Sequence, residues 1–235
     1  MFDLLISPFT EFAFMRRALA GCLALALGAT PVGVFLLLRR MSLMGDAMSH
    51  AILPGAALGY LAFGLSLGAM TVGGIVAGLV VVFAAGLVTR ASVLKEDASL
   101  AAFYLLSLAA GVMIVSLRGQ NLDLLHVLFG SVLGLDDASL LLIASIASVT
   151  LASLALLFRP LVMECFDPAF LRGVSRWSPV AHYGFLMLVV VNLVSGFHAL
   201  GTLMAVGIMI LPSAAARLWA KGLPMLLLLA VLFAF

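Results

Sequence analysis

The chain has 235 residues, of which 65% are hydrophobic and 9% charged, and its mean hydropathy is +1.31. Those values exclude an ordinary soluble domain. A net charge of +2 is uninformative about nucleic acid, but no basic cluster resembles a binding patch, so no nucleic-acid partner is expected. Two cysteines, Cys22 in an apolar run and Cys165 in a polar stretch, are too few and too dispersed for a disulfide framework or a Cys-rich metal site.

In chain order, apolar runs predict membrane-spanning helices at 18–38, 47–66, 70–89, 98–117, 138–158, 180–197 and 199–217, with a last one opening near Leu223. The dyad alternation of a β-barrel is missing, so the expected fold is all-α. It is a polytopic transmembrane helical bundle of about seven to eight spans, a single domain over residues 1–235. Residues 1–17 mix Phe with Asp3, Glu11, Arg16 and Arg17, the pattern of an interfacial lead-in helix. No small-residue cleavage site marks a removable signal. Leu122–Leu135 is apolar but reaches only about 21 Å as a helix. That falls short of a ~30 Å hydrocarbon core and predicts a re-entrant or broken helix. No soluble catalytic domain is present, so an enzymatic partner would have to be another polypeptide.

Basic residues set two orientations against each other. If Leu122–Leu135 is re-entrant, the loops with Arg39/Arg40, Arg90/Lys95, Arg159/Arg172/Arg176 and Arg217/Lys221 share one side, nine of the 12 basic residues. If it crosses, Arg39/Arg40 and Arg90/Lys95 move outside while Arg16/Arg17 and Arg118 move in, giving eight of the 12. The positive-inside rule does not separate these, but both keep the 159–179 loop cytoplasmic. Gly55 with Gly59, and Gly74 with Gly78, have the spacing that lets helices pack closely.

The chemistry concentrates in Met44-Gly45-Asp46-Ala47-Met48-Ser49-His50-Ala51-Ile52-Leu53-Pro54-Gly55. On a helix, Asp46 and His50 stand one turn apart on one face. A carboxylate beside an imidazole in so apolar a chain is costly unless hydrated, paired or bound to a cation, and both are ligands for first-row divalent metals. Two readings stay open at this level. One is a hydrogen-bonded pair at a helix N-terminus with Ser42 or Asp46 as the N-cap; the other is a cation or proton path. Pro54 and Gly55 predict a kinked or interrupted helix, and Pro212 a second kink and hinge.

Further candidates are weaker. Asp123 and His126 lie three apart on the short apolar segment and could add ligands or pair with each other. His198, near a span end, is interfacial or a ligand; His182 opens a span and receives no role. Lys95-Glu96-Asp97 reads as a solvated helix start. In the 159–179 loop, Glu164 precedes Asp167-Pro168-Ala169-Phe170-Leu171-Arg172-Gly173. Asp167 as N-cap, Pro168 at the first helical position and Gly173 at the end predict a short helix carrying Phe170 and Leu171. It is either a connecting helix packed on its own bundle or an element that docks into a partner.

The Gly45–Gly55 block closely resembles the signature of the zinc/manganese-type permeases of bacterial ABC importers. Lys95-Glu96-Asp97-Ala98-Ser99-Leu100, Leu128-Phe129-Gly130-Ser131-Val132-Leu133-Gly134, and Ala199–Met204 through Ile210–Ala216 resemble further family motifs, in the family's order. Ser131 stands where many relatives carry an acid. The run from Pro224 to Phe235 is too short to span. It is either a buried half-helix or a sign that the chain is shorter than its relatives by one or two spans.

The resemblance implies a multi-pass protein of the bacterial cytoplasmic membrane that is not itself an enzyme. It implies a second permease copy, cytoplasmic ATP-binding subunits and an extracytoplasmic metal-binding protein as partners. It also assigns Asp46 and His50 to metal passage, and the loop with Glu164, Asp167, Pro168, Phe170, Leu171 and Gly173 to ATPase coupling. The expected cargo is Zn2+ or Mn2+, zinc slightly ahead, with no permanently bound cofactor. Brief coordination by two protein ligands suits release better than a closed four-ligand site. Since a ligating imidazole must be neutral, uptake should fall in acid. The rival reading is a stand-alone proton- or cation-coupled secondary transporter with the pair as a proton relay. An intramembrane hydrolase lacks its HExxH or nucleophile–base motif.

Overall fold

The computed structural model describes residues 12–64, 66–93, 96–117, 135–167, 170, 171, 173, 175 and 177–235. They form seven helices: α1 (Ala13–Leu38), α2 (Ser42–Phe63), α3 (Leu67–Ala91), α4 (Glu96–Leu117), α5 (Asp137–Phe166), α6 (Ser178–Arg217) and α7 (Leu223–Ala234). No strand occurs among the described residues. Helices close every backbone hydrogen bond within the segment, which apolar surroundings require. Ala13–Leu38, Leu67–Thr89, Asp137–Phe166 and Ser178–Arg217 are long and apolar enough to cross a membrane.

Helix directions follow from a few contacts. The ion pair of Arg17 with Asp137 joins the starts of α1 and α5, and the pair of Arg39 with Glu164 joins their other ends, so the two run parallel. α2 and α4 are also parallel: the Ser107 hydroxyl donates to the Ala51 carbonyl at 3.0 Å, and Gly111 packs on Pro54. Consequently α4 ends and α5 begins at the end of the bundle away from Arg39.

α6 is two helices. Gly201 takes φ 78° and ψ 172°, which glycine adopts without steric cost, and the chain reverses there. Gly196 then faces Ala205 across the reversal, far closer than a straight helix allows. Residues 178–200 run antiparallel to α1, Phe185 against Phe35 and Asn192 against Gly28; residues 202–217 return alongside it, Ile208 on Thr30 and Ala216 on Val34. The break expected between 197 and 199 thus falls at Gly201.

Small residues set the helix spacing. Gly55 lies against the Gly73 backbone, Gly59 against Ala69, and Gly33 against the Met209 carbonyl, where a Cβ would overlap backbone. Gly74 and Gly78 receive Ile52, Val190 and Val194. Close backbone approach replaces the hydrophobic effect as the packing force between lipid-embedded helices.

Several local expectations are revised. α2 starts at Ser42 with Met41 as an N-cap that makes no side-chain bond, so neither Ser42 nor Asp46 caps it. α2 also runs uninterrupted through Pro54: the proline costs one bond to the His50 carbonyl, and α4 packs over the defect through Gly111. Gly55 therefore serves as a contact with α3, and Pro212 lies within an intact helical stretch of α6. α5 continues to Phe166, placing Arg159, Glu164 and Cys165 on a helix rather than in a loop.

Candidate metal site

α1 closes in a Schellman motif: the Met41 amide donates to the Leu36 carbonyl and the Arg40 amide to the Leu37 carbonyl. Arg40 occupies the left-handed position, φ 60°, where glycine is usual. That turn delivers the chain into α2, which buries Met44, Met48, Ala51 and Ile52. Asp46 and His50 fall on another face of the helix, with side chains 65% and 33% exposed.

The spacing read from the sequence holds. His50 Nε2 lies 3.8 Å from Asp46 Oδ1, too long for a hydrogen bond. Two donors at about 2.1 Å from a shared ion in tetrahedral geometry are about 3.4 Å apart, so closing the gap takes only a few tenths of an ångström. The Asp46 carbonyl accepts from the Ser49 hydroxyl at 2.7 Å. The His50 ring stacks on Tyr104 with centroids 6.4 Å apart, and its Nδ1 is buried without a hydrogen-bond partner. A buried imidazole nitrogen left unpaired marks a site whose polar bonding is incomplete. A cavity of about 290 Å³ opens beside Asp46, lined also by Arg40, Met41, Leu100 and Tyr104.

Among the described residues no three His, Cys, Asp or Glu side chains gather as a metal cluster. The chain offers two ligands here, leaving the rest of a coordination sphere to water or another chain. His198 does not join them. At the far end of α6's first helix its Nδ1 lies 2.8 Å from the Val194 carbonyl oxygen and its Nε2 3.4 Å from the Thr71 hydroxyl. Asp123 and His126 lie outside the described residues.

A second polar constellation, missed in the sequence, sits behind the same turn. Arg39 Nη2 is 3.2 Å from Glu164 Oε1, with side chains only 6% and 7% exposed. His182 Nδ1 lies 3.4 Å from the same guanidinium nitrogen and 4.0 Å from Glu164 Oε1. The Ser178 hydroxyl donates to Glu164 Oε2 at 3.3 Å, and the Arg39 guanidinium lies 5.0 Å from the Phe185 ring centroid. Arg39 Nη1 is buried and unpartnered. The group borders a cavity of about 610 Å³ that shares Arg40 and Met41 with the cavity at Asp46. Glu164 is thus turned inward rather than displayed on a loop. Arg39 gave no sequence signal beyond loop charge, because its partners come from α5 and α6.

Beyond α5, Asp167 caps as expected: its carboxylate accepts from the Phe170 amide at 2.9 Å. Phe170 is half exposed while Leu171 is buried. Gly173 has open space around it; Pro168 lies outside the described residues.

A family model, the ABC 3 transport family, matches residues 11–235. The chain belongs to that family. It is a multi-pass bacterial membrane protein of the permease kind, not an enzyme, as the sequence motifs implied. It is 33% identical to the manganese import system permease protein ScaB of Streptococcus parasanguinis, covering 95% of this chain and 79% of that one. It is 30% identical to the chelated iron transport system membrane protein YfeD of Yersinia pestis, covering 99% of this chain and 76% of that one. Among solved structures, PsaBC from Streptococcus pneumoniae in complex with Fab matches with a TM-score of 0.84 at 29% identity, over 100% of this chain and 83% of that chain.

Proposed function

We propose that this chain is the transmembrane subunit of an ATP-driven importer for a divalent transition metal, with manganese the first candidate and iron the second. The observation that carries the reading is the Asp46–His50 pair: two donors one turn apart, lightly paired, with Asp46 bordering a cavity, within a family of transport permeases. Relatives named for manganese and for iron support that order of metals, and zinc's precedence over manganese finds no support among them. The stand-alone carrier is likewise not favoured, since the matched proteins are subunits of ABC systems.

The working assembly is two copies of this chain, cytoplasmic ATP-binding subunits, and an extracytoplasmic protein that delivers the metal. With α6 counted as two crossings, the described helices supply seven to eight spans. The common placement of Arg39 and Glu164 supports the orientation in which nine of the 12 basic residues are cytoplasmic. Asp46 and His50 then lie toward the cytoplasmic side, where a two-ligand site favours release. ATP binding in the partner rocks the bundle between outward and inward access, and the pair holds the ion in transit.

The test is uptake of manganese, iron and zinc in cells lacking their own importers. The native chain is co-expressed with its cognate ATPase and binding protein, or with an ATPase unable to hydrolyse ATP. Manganese uptake that requires hydrolysis is the expected result. Uptake indifferent to the ATPase would restore the stand-alone carrier.

A further inference from the structure

We propose that Arg39, Glu164 and His182 are positioning residues that join the ATPase-facing segment after α5 to the metal pair on α2, so that movement of one is carried to the other. The inference rests on the importer reading above and adds the residues through which the two ends communicate.

The geometry is specific. Glu164 lies in the last turn of α5, three residues before Asp167, which caps the short turn that displays Phe170. Arg39 caps α1 in the Schellman turn, from which Met41 leads into the helix carrying Asp46. The Arg39–Glu164 pair therefore links the turn before the metal pair to the turn before the exposed Phe170, in a buried setting where ion pairs are little screened. Glu164 also has Ser178 and His182 at the start of α6, so its carboxylate is held from two directions.

Burying a charged pair is expensive, and apolar replacements of equal volume are often as stable. Stability alone thus gives weak reason to place an arginine and a glutamate here. An exchangeable arrangement gives a better one. With Arg39 at 3.2 Å and His182 at 4.0 Å from the same oxygen, Glu164 can shift between partners on α1 and α6 without being left unpaired. The neighbouring cavity of about 610 Å³ gives these side chains room to rearrange. Arg39 Nη1, buried without a partner, leaves one donor open for a second arrangement.

The test uses the full transporter purified with its ATPase and reconstituted with its binding protein. Metal carried per ATP hydrolysed and Mn2+ binding are compared for native chain, Glu164→Gln, Glu164→Asp, and the double variant Arg39→Met with Glu164→Leu. The proposal predicts at least a tenfold fall in metal carried per ATP for Glu164→Gln and the double variant, partial recovery in Glu164→Asp, and Mn2+ binding within about threefold of native. The double variant leaves no orphaned charge and so guards against misfolding of the single one. A double variant that folds and carries native metal per ATP would overturn the proposal, as would uptake and hydrolysis falling in proportion to folded complex. The importer reading is checked separately with an added Asp46→Ala complex. Mn2+ binding that this substitution leaves unaltered would remove the metal pair and with it the relay's end point, whereas binding lost in Asp46→Ala with native metal per ATP in the double variant would overturn the relay alone.

Discussion

The two polar constellations at the Arg39 end of the bundle are built on opposite terms. Asp46 is exposed and His50 half-buried; they lie 3.8 Å apart and leave His50 Nδ1 unsatisfied. Arg39 and Glu164 are almost wholly buried, with Ser178 and His182 closing around the carboxylate. A group that takes up and releases a cargo gains from incomplete coordination and open access, since a closed site would retain the ion. A group that holds two helices together gains from burial and several partners, because its loss leaves an uncompensated charge. On the proposed reading, the difference separates a site that transports from a joint that positions, although each is centred on one acid paired with a base.

Substitutions can break this contrast or sharpen it. The largest effect is expected from Asp46→Ala or His50→Ala, which should remove uptake almost entirely at unchanged membrane abundance, checked by metal accumulation beside immunoblotting. Glu164→Ala should act through stability. Removing one partner of a buried ion pair costs about 3–5 kcal/mol, so folded protein should fall sharply in thermal unfolding of the detergent-purified complex. Gly55→Val would drive a side chain into the Gly73 backbone, an overpacking cost of about 1–3 kcal/mol, seen as a lower melting temperature with uptake per folded molecule preserved. Asp167→Ala removes an N-cap bond worth about 1 kcal/mol, and its expected signature is weaker retention of the ATPase on affinity purification. Arg17→Ala breaks a half-exposed pair with Asp137 and should cost at most about 1 kcal/mol, with uptake unchanged.

Much of this architecture is legible in the sequence, and what is hidden has a common cause. The apolar runs locate the helices because each must bridge an apolar layer, and Asp46 and His50 are legible because one helical turn joins them. Asp167 follows from the same local logic, an acid three residues before an amide it can accept from. The charges from Arg159 to Arg176 predict a loop around Glu164, yet α5 runs through Pro160 to Phe166 and turns Glu164 inward. Its partner Arg39 lies on a distant helix, a contact that no local spacing encodes. Gly201 carries no comparable sequence signal: prolines such as Pro54 and Pro212 announce kinks by chemistry, while a glycine's left-handed backbone is set by the tertiary turn it must make.

The central claim is that Asp46 and His50 hold the transported ion. Its most direct test is Mn2+ uptake by the native chain, Asp46→Ala and His50→Ala, each co-expressed with the same ATPase and binding protein and normalised to membrane abundance. Uptake by the native chain that is lost in both variants is the predicted result. Native-level uptake in either variant would contradict the claim and leave the pair a structural feature of α2.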